Sequence, residues 1–341
     1  MGAGAGPAGP PGPGAGARAG REPPPAGGPL PRRRSRGRPR VRRRWPGRGL
    51  LAGALGALGA LGAAGAAGGG AEHDYEGVHV LFSTECTRYF DWQSTGLIYS
   101  HKAVYEAAGL PVPPITRLMA CTEPNYPHGR PLPYPFAHTH AHPPFNMQTE
   151  GEWRDVYSPY NKPGSLMHWL QHGNTTGTKW VVMIDADMIL RKPWDLALLQ
   201  PEPLKPVSAF YGYLNGANEG VYMGVKMHDV EKIRKGPYSK VGGFAIHHID
   251  ELHELTKLWL EYTIKVRRDP DSWASSGDIF TCPEEQNHPG CKGRECGCRR
   301  APWISEMYGY VFASAVVGVE HKVNNKIMLY PDNNPGHDDR R

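Results

Sequence analysis

Trp180-Val181-Val182-Met183-Ile184-Asp185-Ala186-Asp187-Met188-Ile189-Leu190-Arg191 is the stretch that decides how the chain is read. Five apolar residues run without a break into two carboxylates separated by one alanine. Such a run, bounded by polar residues, suits a strand buried on both faces of a parallel sheet. Open α/β sheets bind ligands beyond the carboxyl ends of their strands, and that is where Asp185 and Asp187 fall. If the backbone there stays extended, the two side chains project to the same side. Two carboxylates facing one cleft repel each other unless a cation lies between them. Mn²⁺ and Mg²⁺ take oxygen ligands and bridge carboxylates to phosphates. The stretch therefore predicts a metal–diphosphate site. A bare Asp-x-Asp is also found at solvated strand ends, and the apolar run before it supplies the specificity.

The chain has 341 residues and a formal charge of +6. That sum hides an asymmetry. Twelve arginines from Arg18 to Arg48, against Glu22 alone, give the first 48 residues eleven positive charges, so the remainder carries five negative ones. A mildly acidic folded part gives no support to a nucleic-acid-binding role, and no nucleic-acid partner is expected. Residues 1–48 are mostly Gly, Ala, Pro and Arg, too poor in large apolar side chains for a core, and read as a disordered tail. Residues 49–72 hold an uncharged Leu/Ala/Gly stretch, Leu50 to Ala67, of about the length of a short membrane span. With arginines before it, the layout fits a single-pass type II anchor with a lumenal domain; a cleaved signal peptide and a transit peptide are the alternatives. Asn174-Thr175-Thr176 is an N-glycosylation acceptor, and six cysteines are compatible with an oxidising lumen.

Residues 73–341 are enough for one large α/β domain. Strands are expected at Val78–Thr84, Ile115–Cys121, the Trp180 stretch, Pro206–Tyr211 and Val241–Ile246. Helices are expected at Trp92–Ala108, Lys162–Gln171 and from an Asp250 N-cap to Arg267. The alternation predicts a mostly parallel sheet flanked by helices. Pro124–Pro159, rich in Pro and His, reads as an irregular loop, a functional flap or a family-specific insertion, and His138, His140 and His142 within it as solvated. Cys282, Cys291, Cys296 and Cys298 sit in a Pro/Gly-rich insertion, 280–302. Their spacing favours two disulfides over a four-thiolate zinc site. Cys86 and Cys121 either pair or remain free buried thiols.

Several segments resemble one family in order: Val80-Leu81-Phe82-Ser83-Thr84-Glu85-Cys86, Phe90-Asp91-Trp92-Gln93, Ile115-Thr116-Arg117-Leu118, Tyr160-Asn161-Lys162-Pro163, Ile184-Asp185-Ala186-Asp187-Met188 and Trp303-Ile304-Ser305-Glu306-Met307-Tyr308-Gly309-Tyr310. They are similar to the peptidyl serine α-galactosyltransferases of plants and green algae, and more distantly to hydroxyproline O-arabinosyltransferases. The resemblance implies a GT-A-type glycosyltransferase of the Golgi or endoplasmic reticulum. It would transfer galactose from UDP-galactose to serine hydroxyls of hydroxyproline-rich, extensin-type wall glycoproteins, with retention and with Mn²⁺ (or Mg²⁺). A hydroxyproline O-arabinosyltransferase, or an inactive protein that binds peptide or nucleotide sugar, are the competing readings. The 280–302 insertion and the end of the chain at Arg341 depart from the family pattern.

On that reading Asp187 coordinates the metal directly and Asp185 does so through water or holds the ribose. His321 is the candidate third ligand, a surface histidine being the alternative. Lys162 and Lys322 are candidates for the diphosphate, unless simply solvated. Asp91, Trp92 and Gln93 follow the first strand, where base and ribose would lie, although Trp92 as core packing fits equally. Asp278 and Glu306 are the acids expected to stabilise the sugar or orient the acceptor, surface or helix-capping roles being the alternatives. Gly242 and Gly243 permit close backbone approach, to an acceptor peptide or as a plain bend.

Overall fold

A computed structural model describes residues 76–121, 134–214, 217, 238–270, 273 and 300–329. The expected tail at 1–48, the apolar segment at 49–72, Asp278 and the four cysteines from Cys282 to Cys298 lie outside the described residues. All described residues belong to one compact unit, Ala67–Arg341. Among them, no helix is long and apolar enough to cross a membrane.

The chain forms a mixed α/β fold around a seven-stranded sheet. In order along the chain its strands are β1 (Val78–Glu85), β2 (Ile115–Ala120), β3 (Ala137–His142), β6 (Trp180–Ile184), β7 (Val207–Ser208), β8 (Ala245–His248) and β9 (Lys322–Val323). A separate hairpin joins β4 (Met147–Glu150) to β5 (Trp153–Val156). The sheet order is β3-β2-β1-β6-β8-β7-β9. Only β8 opposes the others: β6 and β7 each pair with it antiparallel, and the remaining pairs are parallel. All five residues of β6 are buried between β1 and β8, as a continuous apolar run requires.

Helix α1 (Arg88–Ala107) starts four residues earlier than its apolar pattern suggested. Thr87 caps it, its hydroxyl accepting from Phe90 N at 3.4 Å. Helix α2 (Asn161–His172) packs on β1 and β2, and a one-turn helix, α3 (Leu196–Leu199), follows β6. Helix α4 (Ile249–Arg268) is amphipathic, with Asp250 and Glu251 in its first turn and Lys265, Arg267 and Arg268 in its last, matching the macrodipole at both ends. Its N-cap is His248 rather than Asp250: the imidazole accepts from Asp250 N at 3.4 Å.

Helix α5 (Ser305–Val317) was not expected. Its first eleven residues are all buried, and a helix apolar on every side carries no 3.6-residue alternation to read. It packs against α4 around Gly309, where an added Cβ would lie 2.1 Å from Thr263 Oγ1 and 2.8 Å from Trp259 O. Trp259 Nε1 donates to Glu306 O at 2.7 Å, joining the two helices where the backbone of α5 begins.

Two further expectations need correction. The irregular loop predicted over 124–159 contains an edge strand and a hairpin. In β3 the sequence Ala-His-Thr-His-Ala-His pairs in parallel with β2 along its whole length. His140 Nε2 lies 2.8 Å from His168 Nδ1 on α2, and His142 is buried, so these two histidines are packed rather than solvated. The strand expected at 241–246 begins instead at Ala245, because Gly242 and Gly243 serve close packing. A Cβ on Gly242 would meet Met307 Cβ at 2.8 Å, and one on Gly243 would meet Tyr211 Cζ at 2.5 Å.

Cys86 and Cys121 form a disulfide, with Cα atoms 5.3 Å apart, tying together the chain as it leaves β1 and β2. Closing a loop of 35 residues restricts the unfolded chain by about 3–4 kcal/mol. A Cys86→Ala/Cys121→Ala variant should lose about that much unfolding free energy in equilibrium urea titration. An unchanged midpoint and slope would show that the crosslink adds no stability.

Candidate functional site

β6 delivers Asp185 to the carboxyl edge of the sheet, beside the ends of β1 and β2. The backbone there does not remain extended. Asp185–Met188 makes a turn, with Met188 N donating to Asp185 O at 3.2 Å. Ala186 is buried inside the turn and Asp187 stands open to solvent. The two acids therefore meet through the turn and not through strand alternation. Partial desolvation first, and the adjacent Asp185 charge second, push the Asp187 carboxyl above its usual range.

Lys162, in the first turn of α2, reaches this corner. Its ammonium lies 2.7 Å from Asp185 Oδ1 and 3.1 Å from Glu306 Oε1, and donates to Gly242 O at 3.3 Å. Burial by itself would lower the lysine pKa. Asp185 and then Glu306 more than offset that, and hold it above its ordinary range. Glu306 is buried at the start of α5. Burial drives its carboxyl up to about 7 against the pull of Lys162, with Asp185 adding to the rise. Oε1 of Glu306 meets Lys162 as an ion pair.

The elements behind Glu306 are held by charge and aromatic contacts. Tyr157 hydroxyl accepts from Glu306 N at 3.2 Å and donates to Trp303 O. The Arg267 guanidinium lies 3.7 Å from the Tyr157 ring centre and grips Asp155 with two nitrogens. Tyr160 hydroxyl donates to the same carboxylate at 2.9 Å. The hairpin, α2 and α4 thus converge beneath the start of α5, a charge-assisted arrangement that fixes its direction.

Tyr213, in the turn after β7, belongs to the same corner and was missed in the sequence. Burial first, then the Glu306 and Asp185 charges, raise its phenol to about 12. The available signal was Tyr211-Gly212-Tyr213 leaving the end of a strand expected on the same sheet.

The other residues singled out from the sequence fall elsewhere. Asp91 pairs with the buried Arg117 of β2, Oδ1 to Nη1 2.9 Å, and so locks α1 to the sheet. Gln93 is buried and donates to Tyr89 hydroxyl at 2.9 Å. Trp92 is exposed on α1, which corrects its alternative reading as core packing. Lys322 Nζ bonds Gln200 O at 2.8 Å and pairs with Glu202.

His321 does not join the acids. Its two ring nitrogens lie 2.8 Å from Ser208 Oγ and 3.2 Å from Ser314 Oγ. Register puts it three strands from β6 and level with Val181, about 13 Å below Asp185 along the strands. There it closes a buried cluster in which His247 bonds Glu251 and, at 2.5 Å, Tyr310 hydroxyl. Burial, then His247, hold the His321 pKa well below its ordinary value, so a neutral ring with engaged nitrogens replaces the expected metal ligand.

Among the described residues no group of three or more His, Cys, Asp and Glu is arranged to hold a metal ion. Asp185 and Asp187 nevertheless fit the minimal donor set of a hard dication, which binds through one or two carboxylates and completes its shell with water and phosphate oxygen. The charge balance points the same way. Among the described residues, three carboxylates against one ammonium leave two negative charges at this corner, or one when Glu306 holds a proton. A cavity of about 540 Å³, lined by His79, Thr116, His138 and Trp169, opens at the opposite end of the strands and presents no carboxylate.

Comparison with known proteins gives the family of the chain. The hydroxyproline O-arabinosyltransferase family N-terminal domain matches residues 78–279. A peptidyl serine α-galactosyltransferase of Arabidopsis thaliana is 37% identical over 268 residues, covering 75% of this chain and 28% of that protein. One of Chlamydomonas reinhardtii is 33% identical, covering 76% of this chain and 32% of that protein. The chain thus spans about a third of the length of these relatives. A hydroxyproline O-arabinosyltransferase of Medicago truncatula is 22% identical over 74% of this chain. A crystal structure of the galactosyltransferase LgtC with donor and acceptor sugar analogs aligns at a TM-score of 0.36 and 12% identity, over 55% of this chain and 64% of that one, too loosely to carry an argument. On the family match, over more than half of its length, the chain belongs to the hydroxyproline O-arabinosyltransferase family.

Proposed function

We propose that the chain is a GT-A-type glycosyltransferase that moves galactose from UDP-galactose to serine hydroxyls in hydroxyproline-rich peptides, with retention at the sugar carbon. One observation carries this reading: the acid pair Asp185/Asp187 stands at the carboxyl edge of the central strand with negative charge that Lys162 neutralises only in part. The two relatives named peptidyl serine α-galactosyltransferase support the acceptor and the sugar. The family description and the Medicago relative favour a second reading, arabinose transfer to hydroxyproline. Parallel incubation with UDP-galactose and UDP-arabinose separates the two.

Asp185 and Asp187 would hold Mn²⁺ or Mg²⁺, which when bound supplies positive charge for the diphosphate as it leaves. The chain's own residues do the rest. Lys162 fixes Asp185 through its ion pair, and its own charge is already shared between two carboxylates, so it positions the acids before it can neutralise phosphate. In the transfer, the bond from the sugar C1 to the diphosphate oxygen breaks and a bond from C1 to the serine oxygen forms on the same face. The serine proton leaves with the diphosphate. Glu306, half-protonated near neutrality, sets the residual charge at this corner. The disulfide between Cys86 and Cys121 suits an oxidising compartment, which supports a secretory location for the domain.

Replacing Asp187 by Ala should lower transfer by at least about a hundredfold, as loss of an electrostatic stabiliser does. Its Tm should be close to wild type, because Asp187 is open to solvent. Calorimetric titration with MnCl₂ and UDP together should show coupled uptake by wild type and none by the variant; transfer that survives Asp187→Ala removes the metal mechanism.

Glu306 makes a pH prediction. Its folded pKa of about 7 lies above the unfolded value near 4.5, so the folded state binds the proton more tightly. Its contribution to stability is complete below about pH 4.5 and is lost as the pH rises towards 7. The stability difference between Glu306→Gln and wild type should therefore grow in favour of Gln across that interval, measured by urea unfolding at each pH. A difference independent of pH would show that the carboxyl titrates normally.

A further inference from the structure

Helix α1 carries large side chains where a soluble helix ordinarily carries small polar ones. Tyr89, Trp92 and Tyr99 are 62%, 75% and 64% exposed. Trp92 and Tyr99 flank Gly96 at one turn on either side, and Ile189, itself 62% exposed, fills the gap: a Cβ on Gly96 would lie 3.5 Å from Ile189 Cδ1. The four side chains therefore form one continuous apolar strip, Tyr89–Trp92–Ile189–Tyr99. Leu190 N donates to Ser100 Oγ at 3.0 Å and Trp194 N to Tyr105 hydroxyl at 3.1 Å, which fixes this segment along the helix. Ile189 is two residues beyond Asp187, so the middle of the strip is joined to the acid-bearing turn through one short length of chain.

From these contacts we infer that the strip docks the acceptor as a polyproline II peptide. Two features select that occupant. Trp92 and Tyr99 are seven residues apart, about 10.5 Å along the helix axis, and one turn of polyproline II advances about 9.3 Å. Successive turns of the peptide thus meet successive aromatic rings, the flat apolar surfaces on which proline-type rings pack in the aromatic-lined grooves of proline-binding domains. The segment that carries Asp187 also carries Ile189, so a peptide lying on the strip passes beside the acid-bearing turn. This assigns Trp92 to the acceptor instead of the donor base. The inference rests on the acceptor class proposed above, and it separates from that reading because it predicts binding without a donor sugar.

The test uses the full chain and a fluorescein-labelled serine–hydroxyproline peptide, with anisotropy read in the absence of nucleotide sugar. Trp92→Ala and Tyr99→Ala should each weaken binding by about tenfold or more, as loss of an aromatic anchor does. Both side chains are exposed, so both variants should keep the wild-type Tm. A glycine-substituted peptide, unable to hold polyproline II, should bind wild type as weakly as the native peptide binds the variants. In steady-state assays the peptide KM should rise and the UDP-galactose KM should stay constant. Undiminished peptide affinity in both variants overturns the proposal. So does a rise confined to the donor KM, which would assign the strip to the uracil ring, or a Trp92→Ala change in oligomeric mass with peptide affinity intact, which would make it a contact between copies of the chain. If wild type binds the peptide as described yet transfers neither galactose nor arabinose, the docking surface stands and the catalytic reading falls.

Discussion

One partly buried ammonium connects three parts of this fold that the chain itself keeps far apart. Lys162 comes from α2, Asp185 from the end of β6 and Glu306 from the start of α5. A charge withdrawn from water, as that of the buried Glu306 is, is costly unless it finds a partner. The three side chains therefore hold the helices at fixed distances from the end of the central strand. The same requirement explains the supports beneath. Tyr157, Arg267 and Asp155 fix the backbone of α5 from below, and Trp259 does so from α4. Close contact at Gly309 makes that possible, because any side chain there would push α5 away from α4 and carry Glu306 with it.

The balance is deliberately incomplete in charge. An ammonium neutralises one carboxylate, and among the described residues the corner holds three. Protonation of Glu306 removes part of the excess, and partial desolvation, with the Asp185 charge second, raises the Asp187 carboxyl. A second polar cluster, built from His247, Glu251, Tyr310 and His321, lies lower on the sheet, level with Val181, and is internally hydrogen-bonded. The contrast is informative. Polar groups buried for structural reasons are paired off, whereas the corner at Asp185 retains charge that a ligand can complete.

The central strand was legible because burial on both faces imposes a composition, five apolar residues with no alternation, that the sequence displays openly. Helix α1 was legible from periodicity and α2 and α4 from the residues expected in their first turns; the starts of α1 and α4 shifted with the side chains that cap them, Thr87 and His248. What escaped had no local signature. β3 is a row of alternating histidines that becomes a strand only by pairing with β2. α5 is apolar all round. β9 is two residues long, too short for any period, β7 occupies only two residues of the strand expected at Pro206–Tyr211, and the reversal of β8 is a property of the sheet. At the site, Asp185, Asp187, Lys162 and Glu306 were identifiable singly, from motif and resemblance. The ion pairs among them were not, since they depend on tertiary distance. His321 failed for the converse reason: a late histidine near a strand matches the type expected of a ligand, but register carries it to the wrong level of the sheet.

The crosslink between Cys86 and Cys121 sits where β1 and β2 give out, one strand over from the acid-bearing turn. Its closure fastens one rim of the cleft independently of any packing beneath. A chain that has collapsed but not yet been oxidised would have its core complete and that rim loose. Completing that rim takes an electron acceptor for the two thiols as well as a folded sheet.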